Sequence, residues 1–367
     1  MEYPLGDRLP PPEPLEAVLP LGAPPGVCGD VDYELTSSDY YFSSYSHFGI
    51  HEEMLKDDVR TSTYMHAIQD NPHLFRGKVV LDVGCGTGIL SLFAARAGAA
   101  KVYAVECSRI IEQARAIVRL NHYEHVIELF ECRVEELQLP IDPQSGQEMQ
   151  VDVIVSEWMG YFLFYESMLE SVLYARDKWL RPGTGLMFPD QATLYLCAIE
   201  DAAYRRDKID FWDSVYGFDF SCIKRIALTE PLVDYVDAEQ VNTTACPILR
   251  VDVGRVTRDA LDWSVRFRLT ATRNDFVHAL VAYFDIAFTH CHRPLGFSTG
   301  PAAKSSHWKQ TVFYLDQALI MNAGEAIEGT LACRRNASNP RDLDIGLSYR
   351  FRGKKMSARN TLRYRLR

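Results

Sequence analysis

The order of hydrophobic and polar positions divides the chain into two parts with different periodicities. Between residues 78 and 156, short apolar runs alternate with segments of helical spacing, which predicts a doubly wound parallel sheet covered by helices. After Phe188-Pro189, apolar and polar residues alternate one by one, most strictly over residues 262–269, which predicts half-buried strands. Several such strands at this spacing are typical of a β-barrel or sandwich. The pattern therefore predicts an α/β domain followed by a β domain.

Two further segments precede the first predicted strand. Residues 1–32 are rich in Pro, Gly and Leu around Pro10-Pro11-Pro12, and we expect a disordered or polyproline-like tail there because proline lacks a backbone donor. From about His51 to Asn71 apolar residues recur at helical spacing, and Asn71-Pro72 ends the pattern, so a helix is predicted. The predicted units are therefore residues 1–32, 33–188 and 189–367.

Composition narrows the class of protein. The chain has 367 residues and a formal net charge of −10, which disfavours non-specific nucleic-acid binding and fits basic partners. Its nine cysteines are scattered singly, an odd number that favours reduced intracellular thiols over a disulfide framework or a zinc ribbon. We see no signal peptide, and no run approaches the roughly 18 apolar residues that a membrane helix needs.

Two carboxylates stand out in the stretch that follows the predicted strand Val151–Val155. Glu157 and Glu166 lie in a run, residues 156–169, that is otherwise almost wholly aromatic, aliphatic or small. Residues just past the carboxyl end of such a strand line the ligand crevice, and a buried carboxylate needs a positive partner. The pair is therefore expected to meet a cation. Exposed loop carboxylates, or structural ion pairs with arginines, explain this stretch equally well when it is taken alone.

The glycine turn after the first predicted strand points to a nucleoside. The pattern Asp82-x-Gly84-x-Gly86-x-Gly88 lacks the last glycine of a dinucleotide motif and the Lys-Ser/Thr of a P-loop. Glu106 ends the next strand, where an acid suits the two hydroxyls of a ribose. Glu135 follows a later strand and is placed to meet an adenine amine. A nucleoside without a pyrophosphate fits this set.

Two clusters that suggest other chemistry have simpler explanations. His290-Cys291-His292 looks like a metal site, but neighbouring strand residues point to opposite faces and no second ligand pair is near in sequence. Cys107 follows Glu106 directly, and a low thiol pKa would need nearby positive charge, so a quiet thiol is expected. No metal is predicted.

Together these motifs resemble those of the protein arginine methyltransferases, and most closely the type I enzymes, which make asymmetric dimethylarginine. The resemblance covers nearly everything from about Tyr40 to the C-terminus. It implies an S-adenosylmethionine-binding Rossmann-like domain, a β-barrel domain, a helical dimerisation arm at about residues 201–222, and a homodimer or higher oligomer. The stretches that carry it are Val80–Gly88, Val105-Glu106, Val134-Glu135, the loop with two glutamates, His51–Arg60 and Ser306–Gln310.

The resemblance also implies roles for individual residues. Glu157 and Glu166 would grip the substrate guanidinium, and His307 with Asp57 would carry its proton away, unless Glu157 is the base. The residues expected to bind the cofactor are His51, Arg60, Asp82, Gly84, Gly86, Glu106, Val134 and Glu135. The residues expected to shape the substrate site and the product are Tyr41, Tyr45, Met54 and Met168.

The implied activity is methyl transfer from S-adenosylmethionine to arginines of Arg/Gly-rich RNA-binding proteins and histone tails, in nucleus and cytoplasm. The products would be S-adenosylhomocysteine and mono- and asymmetric dimethylarginine, with no direct nucleic-acid or membrane partner. The family's symmetric enzymes carry phenylalanine where this chain has Met54, which argues against a symmetric product. The alternative is a catalytically silent dimer partner that activates a paralogue. Loss of either glutamate, or of the glycine turn, would favour this alternative.

Three segments depart from the family's commonest pattern. They are the long loop Ile141–Gln150, the Pro-rich tail and the basic C-terminus, residues 362–367. The aromatic residues of the segment Asp201–Phe220 form the predicted arm, although they would also fit against their own barrel. Substrate choice and localisation are the properties that these departures affect.

Overall fold

The computed structural model describes residues 11–20, 45–143 and 145–367. Short irregular helical turns occur at 134–136, 205–213, 238–240 and 258–261. The α-helices of the described residues are α1 Leu15–Val18, α2 Phe48–Lys56, α3 Asp58–Gln69, α4 Pro72–Phe75, α5 Ile89–Arg96, α6 Ile111–Leu120, α7 Met168–Trp179, α8 Ala202–Tyr204 and α9 Ser221–Ala227. None of them combines the length and the apolar character that a membrane crossing requires.

The first domain is the predicted parallel sheet. Its strands are β1 Val79–Val83, β2 Lys101–Glu106, β3 Ile127–Glu131, β4 Val153–Val155 and β5 Leu186–Phe188. They lie in the order β3-β2-β1-β4-β5, and every neighbouring pair is parallel. Val80, Leu81 and Ile154 are fully buried because helices cover both faces, as the continuous apolar runs predict. The carboxyl ends of the strands therefore meet at one edge, where ligands bind in such sheets.

The second domain is built from two antiparallel sheets and confirms the predicted β domain. Its strands are β6 Gln191–Ile199, β7 Leu232–Asp234, β8 Cys246–Asp252, β9 Trp263–Thr270, β10 Asp275–Phe288, β11 Leu295–Ser298, β12 Gln310–Met321, β13 Ala326–Arg335, β14 Leu343–Arg352 and β15 Ser357–Leu366. One sheet has the order β7-β12-β10-β6-β8, with β11 paired to β10, and the other has the order β15-β14-β13-β9. Alternate side chains fill the space between them, as the strict alternation predicts.

The segment between β6 and β7 is helical and projects aromatic side chains. Arg205 anchors its base by donating to the backbone oxygens of Leu315 and Asp316, at 2.8 Å each. Ile209 is buried beside it, whereas Tyr216 is 97% exposed and Phe218 is 69% exposed. The tip therefore does not fold back onto its own barrel.

The helix predicted from about His51 to Asn71 is in fact two helices that meet at Asp57. Asp57 has extended backbone angles, and its carboxylate accepts a 3.0 Å hydrogen bond from the backbone N–H of Arg60. Aspartate favours such a capping position over a helix interior because its short side chain satisfies an otherwise unpaired donor. The break turns Asp57 towards the barrel.

Residues 11–20, part of the predicted disordered or polyproline-like tail, are ordered on the outer face of the sheet β15-β14-β13-β9 and include the short helix α1. Val18 is fully buried and Leu19 nearly so, and Gly346 on β14 leaves the space that Val18 occupies. Burial of these two apolar side chains offsets the ordering entropy of a proline-rich segment. Residues 1–10 and 21–32 lie outside the described residues.

Replacing Asp57 with alanine should lower the free energy of unfolding by about 1–3 kcal/mol, because the variant loses a helix cap and two hydrogen bonds from His307. Burial alone would raise the pKa of Asp57, but the hydrogen bonds from His307 and Arg60 outweigh it and hold the pKa below its usual value. This stabilisation is present at neutral pH and is lost as the pH falls through that lowered pKa.

Urea unfolding at pH 7 and at a pH well below the usual aspartate value of 3.8 measures the effect. Asp58→Ala is the matched control, because Asp58 is exposed and forms only a surface ion pair with Lys304. Equal losses in the two variants would contradict the capping role of Asp57.

Candidate active site

A cavity of about 330 Å³ lies at the carboxyl ends of β1, β2, β3 and β4. Its walls come from the glycine turn, from helices α2 and α3, from the loop with the two glutamates, and from barrel loops that carry His307 and Arg341. The predicted residues that line it are Tyr45, His51, Met54, Arg60, Gly84, Gly86, Glu106, Val134, Glu135, Glu157, Glu166, Met168 and His307. Tyr41 lies outside the described residues.

The glycine turn brings bare backbone to the cavity. Gly84 and Gly86 have φ angles of 73° and 52°, which a side chain rarely adopts. A Cβ on Gly84 would lie 2.2 Å from Cε of Met168, and one on Gly86 would crowd the ring of His51. The backbone N–H of Gly86 donates to the carboxylate of Glu106 at 3.0 Å, which fixes that carboxylate at the cavity wall.

Asp82 is the one predicted cofactor residue of the described part that does not line the cavity. It is buried beneath the glycine turn, where one carboxylate oxygen accepts a 2.6 Å hydrogen bond from Ser91. Burial raises the pKa of Asp82 to about 7, and the bond from Ser91 opposes that rise. Asp82 therefore ties the turn to helix α5. From the sequence pattern alone, a residue such as Asp82 that supports the turn cannot be distinguished from one that contacts a ligand.

The carboxylate of Glu157 has one oxygen bound to arginine and one without a partner among the described residues. One of its oxygens accepts a 2.9 Å hydrogen bond from Nε of Arg60, and both side chains are only 8% exposed. The other oxygen, Oε1, is buried and has no hydrogen-bond partner among the described residues. A buried carboxylate oxygen without a donor is costly, so this position is suited to a ligand that brings N–H groups.

Glu166 lies on the same loop but has different neighbours. Its carboxylate accepts a 3.0 Å hydrogen bond from the hydroxyl of Tyr45. Burial raises the pKa of Glu166 to about 7, and the nearby Glu157 adds to the rise, whereas Tyr45 and the charge of Arg341 oppose it. The two glutamates therefore have different electrostatic environments within one cavity.

Arg341, which the sequence did not reveal as a site residue, clamps the loop from the barrel side. The backbone N–H of Glu166 donates to the backbone oxygen of Arg341, and Arg341 donates from its guanidinium to the backbone oxygen of Glu166, at 3.0 and 2.9 Å. Ser167 donates to the backbone oxygen of Pro340 at 2.5 Å. Glu166 and Ser167 both have positive φ, which costs energy outside glycine. No sequence motif marks Arg341, because it lies in an irregular turn between two barrel strands.

His307 and Asp57 form a pair across the two domains. Nδ1 of His307 lies 2.7 Å from the Asp57 carboxylate, and the backbone N–H of His307 donates to the same oxygen at 2.8 Å. Trp308 packs against the His307 ring at an interplanar angle of 38° and donates to the backbone oxygen of Met159 at 2.8 Å. Asp57 thus orients His307 at the cavity wall without lining the cavity itself.

The far end of the cavity holds Val134 and Glu135. The carboxylate of Glu135 accepts a 2.7 Å hydrogen bond from the hydroxyl of Ser171 on α7, a contact that the sequence did not reveal. Three thiols, Cys85, Cys107 and Cys132, also line the cavity. Burial raises the pKa of Cys107 to about 12, and the adjacent Glu106 adds to that rise, which agrees with the quiet thiol predicted.

The stretch His290-Cys291-His292 attaches the barrel to the first domain. Nδ1 of His292 lies 2.7 Å from the side-chain oxygen of Asn71, and the thiol of Cys291 approaches the backbone oxygen of Ala67 at 3.6 Å. Within residues 11–20, 45–143 and 145–367, no group of three or more His, Cys, Asp or Glu side chains is arranged to hold a metal.

Two protein families match the chain in complementary parts. Residues 190–354 match the arginine methyltransferase oligomerization subdomain. Residues 61–165 match the ribosomal protein L11 methyltransferase (PrmA) family. The boundary between the two matches falls between the parallel sheet and the barrel.

Similar proteins cover almost the whole chain. Protein arginine N-methyltransferase 1 of Chlamydomonas reinhardtii is 56% identical over 90% of this chain and 94% of its own length. The protein of the same name in Schizosaccharomyces pombe is 58% identical over 87% of this chain and 92% of its own length. A structure described as the Trypanosoma brucei PRMT1 enzyme-prozyme heterotetrameric complex with AdoHcy superposes with a TM-score of 0.84. That chain is 46% identical, and the match covers 88% of this chain and all of the other.

The raised pKa of Glu166 predicts a cost to stability. Between its usual pKa of 4.5 and about 7, the folded protein holds a proton that the unfolded chain has released, so stability falls as the pH rises through this window. Replacing Glu166 with glutamine removes the buried charge. The variant should be more stable than the natural protein at pH 8 by roughly 1–3 kcal/mol and indistinguishable below about pH 4.5.

Urea unfolding across this pH range measures the difference. Glu124→Gln is the control, because Glu124 is exposed and should give a small effect at every pH. A Glu166→Gln variant that is less stable at pH 8 would show that the carboxylate is well compensated in the folded protein.

Proposed function

The chain belongs to the protein arginine N-methyltransferase family, and we propose that the cavity of about 330 Å³ is the place where it methylates arginine. The enzyme transfers methyl groups from S-adenosylmethionine to the guanidino nitrogens of arginine in proteins and releases S-adenosylhomocysteine. The main support for placing the arginine in this cavity is the buried oxygen Oε1 of Glu157, which has no partner among the described residues.

The residues around the glycine turn fit S-adenosylmethionine. Without side chains, Gly84 and Gly86 leave room that a Cβ would fill, and Glu106 is held at the end of β2, where an acid accepts hydrogen bonds from both ribose hydroxyls. Val134 and Glu135 would bind the adenine, while Arg60 and His51 would hold the amino-acid part. The cofactor supplies a methyl group on a positively charged sulfur.

Glu157 and Glu166 would bind the substrate guanidinium. A guanidinium has five N–H donors in a plane, which suits two carboxylates that approach it from the same loop. One oxygen of Glu157 already accepts a hydrogen bond from Arg60. The other oxygen, Oε1, would therefore accept hydrogen bonds from the substrate guanidinium. Arginine is a poor nucleophile because its positive charge is delocalised. Two carboxylates that hold the other nitrogens leave one nitrogen oriented for transfer.

The pKa of about 7 for Glu166 couples substrate binding to its ionisation. A positive guanidinium beside the carboxylate favours the charged form and lowers this pKa. Binding of arginine therefore releases the proton that Glu166 holds part of the time at neutral pH. At neutral pH the carboxylate would therefore be charged to a greater extent when the substrate is in place.

The attacking nitrogen must lose a proton after transfer. Nδ1 of His307 is tied to Asp57, so Nε2 is the nitrogen through which this histidine would accept the proton. Asp57, with its lowered pKa, would stabilise the positive imidazole that results. Oε1 of Glu157 is the other acceptor in the cavity.

Two methionines would shape the product. Met54 and Met168 both line the cavity, and Met168 packs against Gly84. Their side chains would leave space for a second methyl group on the nitrogen that already carries one, which would give asymmetric dimethylarginine. The silent-partner alternative finds no support in the cavity, because both glutamates and the glycine turn line it.

Membership of the family also suggests the oligomeric state, the substrates and the localisation. The enzyme forms oligomers through its second domain, and we assign a homodimer in which the aromatic arm of one protomer packs on the first domain of the other. Its substrates would be Arg/Gly-rich RNA-binding proteins and histone tails, whose positive charge suits a chain of net charge −10. Both nucleus and cytoplasm would contain such substrates.

Glu157→Gln and Glu106→Ala should separate catalysis from cofactor binding. Glu157→Gln should lower kcat about 100-fold or more on an Arg/Gly-rich peptide, because it removes charge that the reacting guanidinium needs. Its dissociation constant for S-adenosylmethionine, measured by calorimetry, should stay near that of the natural enzyme. Glu106→Ala should raise that constant roughly tenfold, because both ribose hydroxyls lose their acceptor.

Product analysis with labelled S-adenosylmethionine completes this experiment and should show asymmetric dimethylarginine. Natural turnover in Glu157→Gln would refute the assignment of the guanidinium site. An unchanged dissociation constant in Glu106→Ala would remove Glu106 from the ribose.

The arm should hold the dimer together. Phe211 is 48% exposed and forms an edge-to-face pair with Trp212, so replacing both with alanine removes an aromatic surface at low cost to the fold. Light scattering should then show monomers. Methylation should fall at least tenfold, because docking of the arm orders the helices that carry His51 and Arg60.

Phe276→Ala is the matched control, since Phe276 is also 48% exposed but belongs to strand β10 and not to the arm. It should remain dimeric and active. A fully active monomer would overturn the coupling between assembly and catalysis, and a dimer that survives the double change would overturn the role of the arm.

A further inference from the structure

The outer face of the sheet β15-β14-β13-β9 is strongly basic, although the whole chain carries a net charge of −10. Alternate residues of each strand point away from the barrel interior, and on this face arginines lie on all four strands, with Arg334 of β13 donating to the backbone oxygen of Pro20. We call the following set the arginine face: Arg266 and Arg268 on β9, Arg350 and Arg352 on β14, and Arg359 on β15.

Positive charges on the arginine face are only partly compensated. A single carboxylate, Glu328, binds both Arg268 and Arg350. Arg359 lies directly opposite Arg350 in the strand register, an arrangement of like charges that destabilises a sheet. The side chains of Arg352 and Arg359 are exposed and form no hydrogen bond or ion pair with the residues that the structure describes. An anionic ligand would reduce the repulsion between these arginines, so the face is suited to bind one.

A cavity of about 440 Å³ lies between the arginine face and the segment of residues 11–20. Glu13 forms part of one wall, and Ser348 forms part of the floor. Arg266, Arg350, Arg352 and Arg359 all line it. Its position gives a ligand access to four guanidinium groups at once.

The chain's own residues 11–20 show how this face binds a peptide. Arg266 donates two hydrogen bonds to the backbone oxygen of Pro11, at 2.8 and 2.7 Å. The hydroxyls of Thr330 and Ser264 bind the backbone N–H and oxygen of Glu13 at 3.3 and 2.7 Å. The Glu13 carboxylate accepts a 3.3 Å hydrogen bond from Ser348. This sheet face therefore already binds an extended, carboxylate-bearing segment through its backbone and its side chain.

We propose that the arginine face is a docking site for an extended acidic segment of a partner protein. The segment lies alongside residues 11–20 and places its carboxylates against Arg352 and Arg359, which have no partner in the described part of the chain. Arginine binds carboxylates in bidentate fashion, so each such contact adds direction as well as charge. The site is separate from the methylation cavity, whose arginine substrates are repelled by this face.

Two features favour an acidic peptide over a nucleic acid. Glu13 and Glu328 lie among the arginines and would repel a phosphate backbone, which carries a charge at every nucleotide. A peptide with carboxylates on alternate residues can place them between these two acids. The cavity also lacks exposed aromatic side chains for base stacking among its described lining residues, since Tyr349 and Phe351 are buried.

Fluorescence anisotropy with a labelled peptide of about ten residues, with glutamate at alternate positions, tests the proposal on the full chain. The natural protein should bind it, the affinity should fall with added salt, and the glutamine version of the peptide should not bind. Arg352→Glu/Arg359→Glu should weaken binding at least tenfold. This variant should fold, because Arg359→Glu replaces a repulsive pair with Arg350 by an attractive one.

Arg76→Glu/Arg293→Glu is the matched control, since both arginines are exposed and lie away from this sheet. It makes the same change in net charge and should bind the acidic peptide normally. Arg352→Gln/Arg359→Gln should show an intermediate loss. Methylation of a short Arg/Gly-rich peptide should be unchanged in all three variants, so the outcome does not depend on the proposed catalytic residues.

Three results would overturn the proposal. They are no binding of the acidic peptide by the natural protein, an equal loss in the control variant, and preferential binding of a single-stranded RNA of about ten nucleotides that the Arg352→Glu/Arg359→Glu change abolishes. The last result would identify a nucleic-acid site instead.

Discussion

Two carboxylates that are largely withdrawn from water impose the main constraint on this structure. Glu157 and Glu166 lie on one loop, and neither is stable there without positive charge nearby. Arg60 reaches Glu157 from helix α3, and Arg341 reaches the loop at Glu166 from the barrel. Each domain thus supplies one cation. Two features remain uncompensated: the oxygen Oε1 of Glu157 has no partner among the described residues, and the pKa of Glu166 is raised. The guanidinium site that we propose would place positive charge beside both.

The barrel is therefore part of the site and not only a platform for substrates. The loop holds Phe162, Leu163, Glu166 and Ser167 at positive φ, a cluster of strained backbone that needs external support. Arg341 and Pro340 bind its end, and Trp308 binds the backbone of Met159 near its start. His307 lines the cavity beside Trp308, so the same barrel loop supports the strained backbone and places an imidazole at the cavity wall.

Charge is distributed unevenly over the molecule, and the distribution fits separate roles. The cavity at the parallel sheet is lined by carboxylates, whereas the outer barrel face gathers arginines around few acids, Glu13 and Glu328 among them. The segment of residues 11–20 lies on this basic face and satisfies Arg266 through the backbone oxygen of Pro11. A protein that binds positive substrates in one place can thus bind a negative segment in another without competition.

Sequence alone determined the two domains, the glycine turn and most residues of the cavity, because periodicity and strand-end motifs are local properties of the chain. It did not determine the break at Asp57, the place of Asp82 beneath the turn, the ordered segment at residues 11–20 or the clamp from Arg341. The place of Asp82 depends on Ser91, which is near in sequence, but the other three depend on distant partners: His307 for Asp57, Gly346 for Val18, and Glu166 for Arg341. Only the folded chain brings such pairs together, and the free energy of burying apolar surface and satisfying buried charges then selects which pairs form.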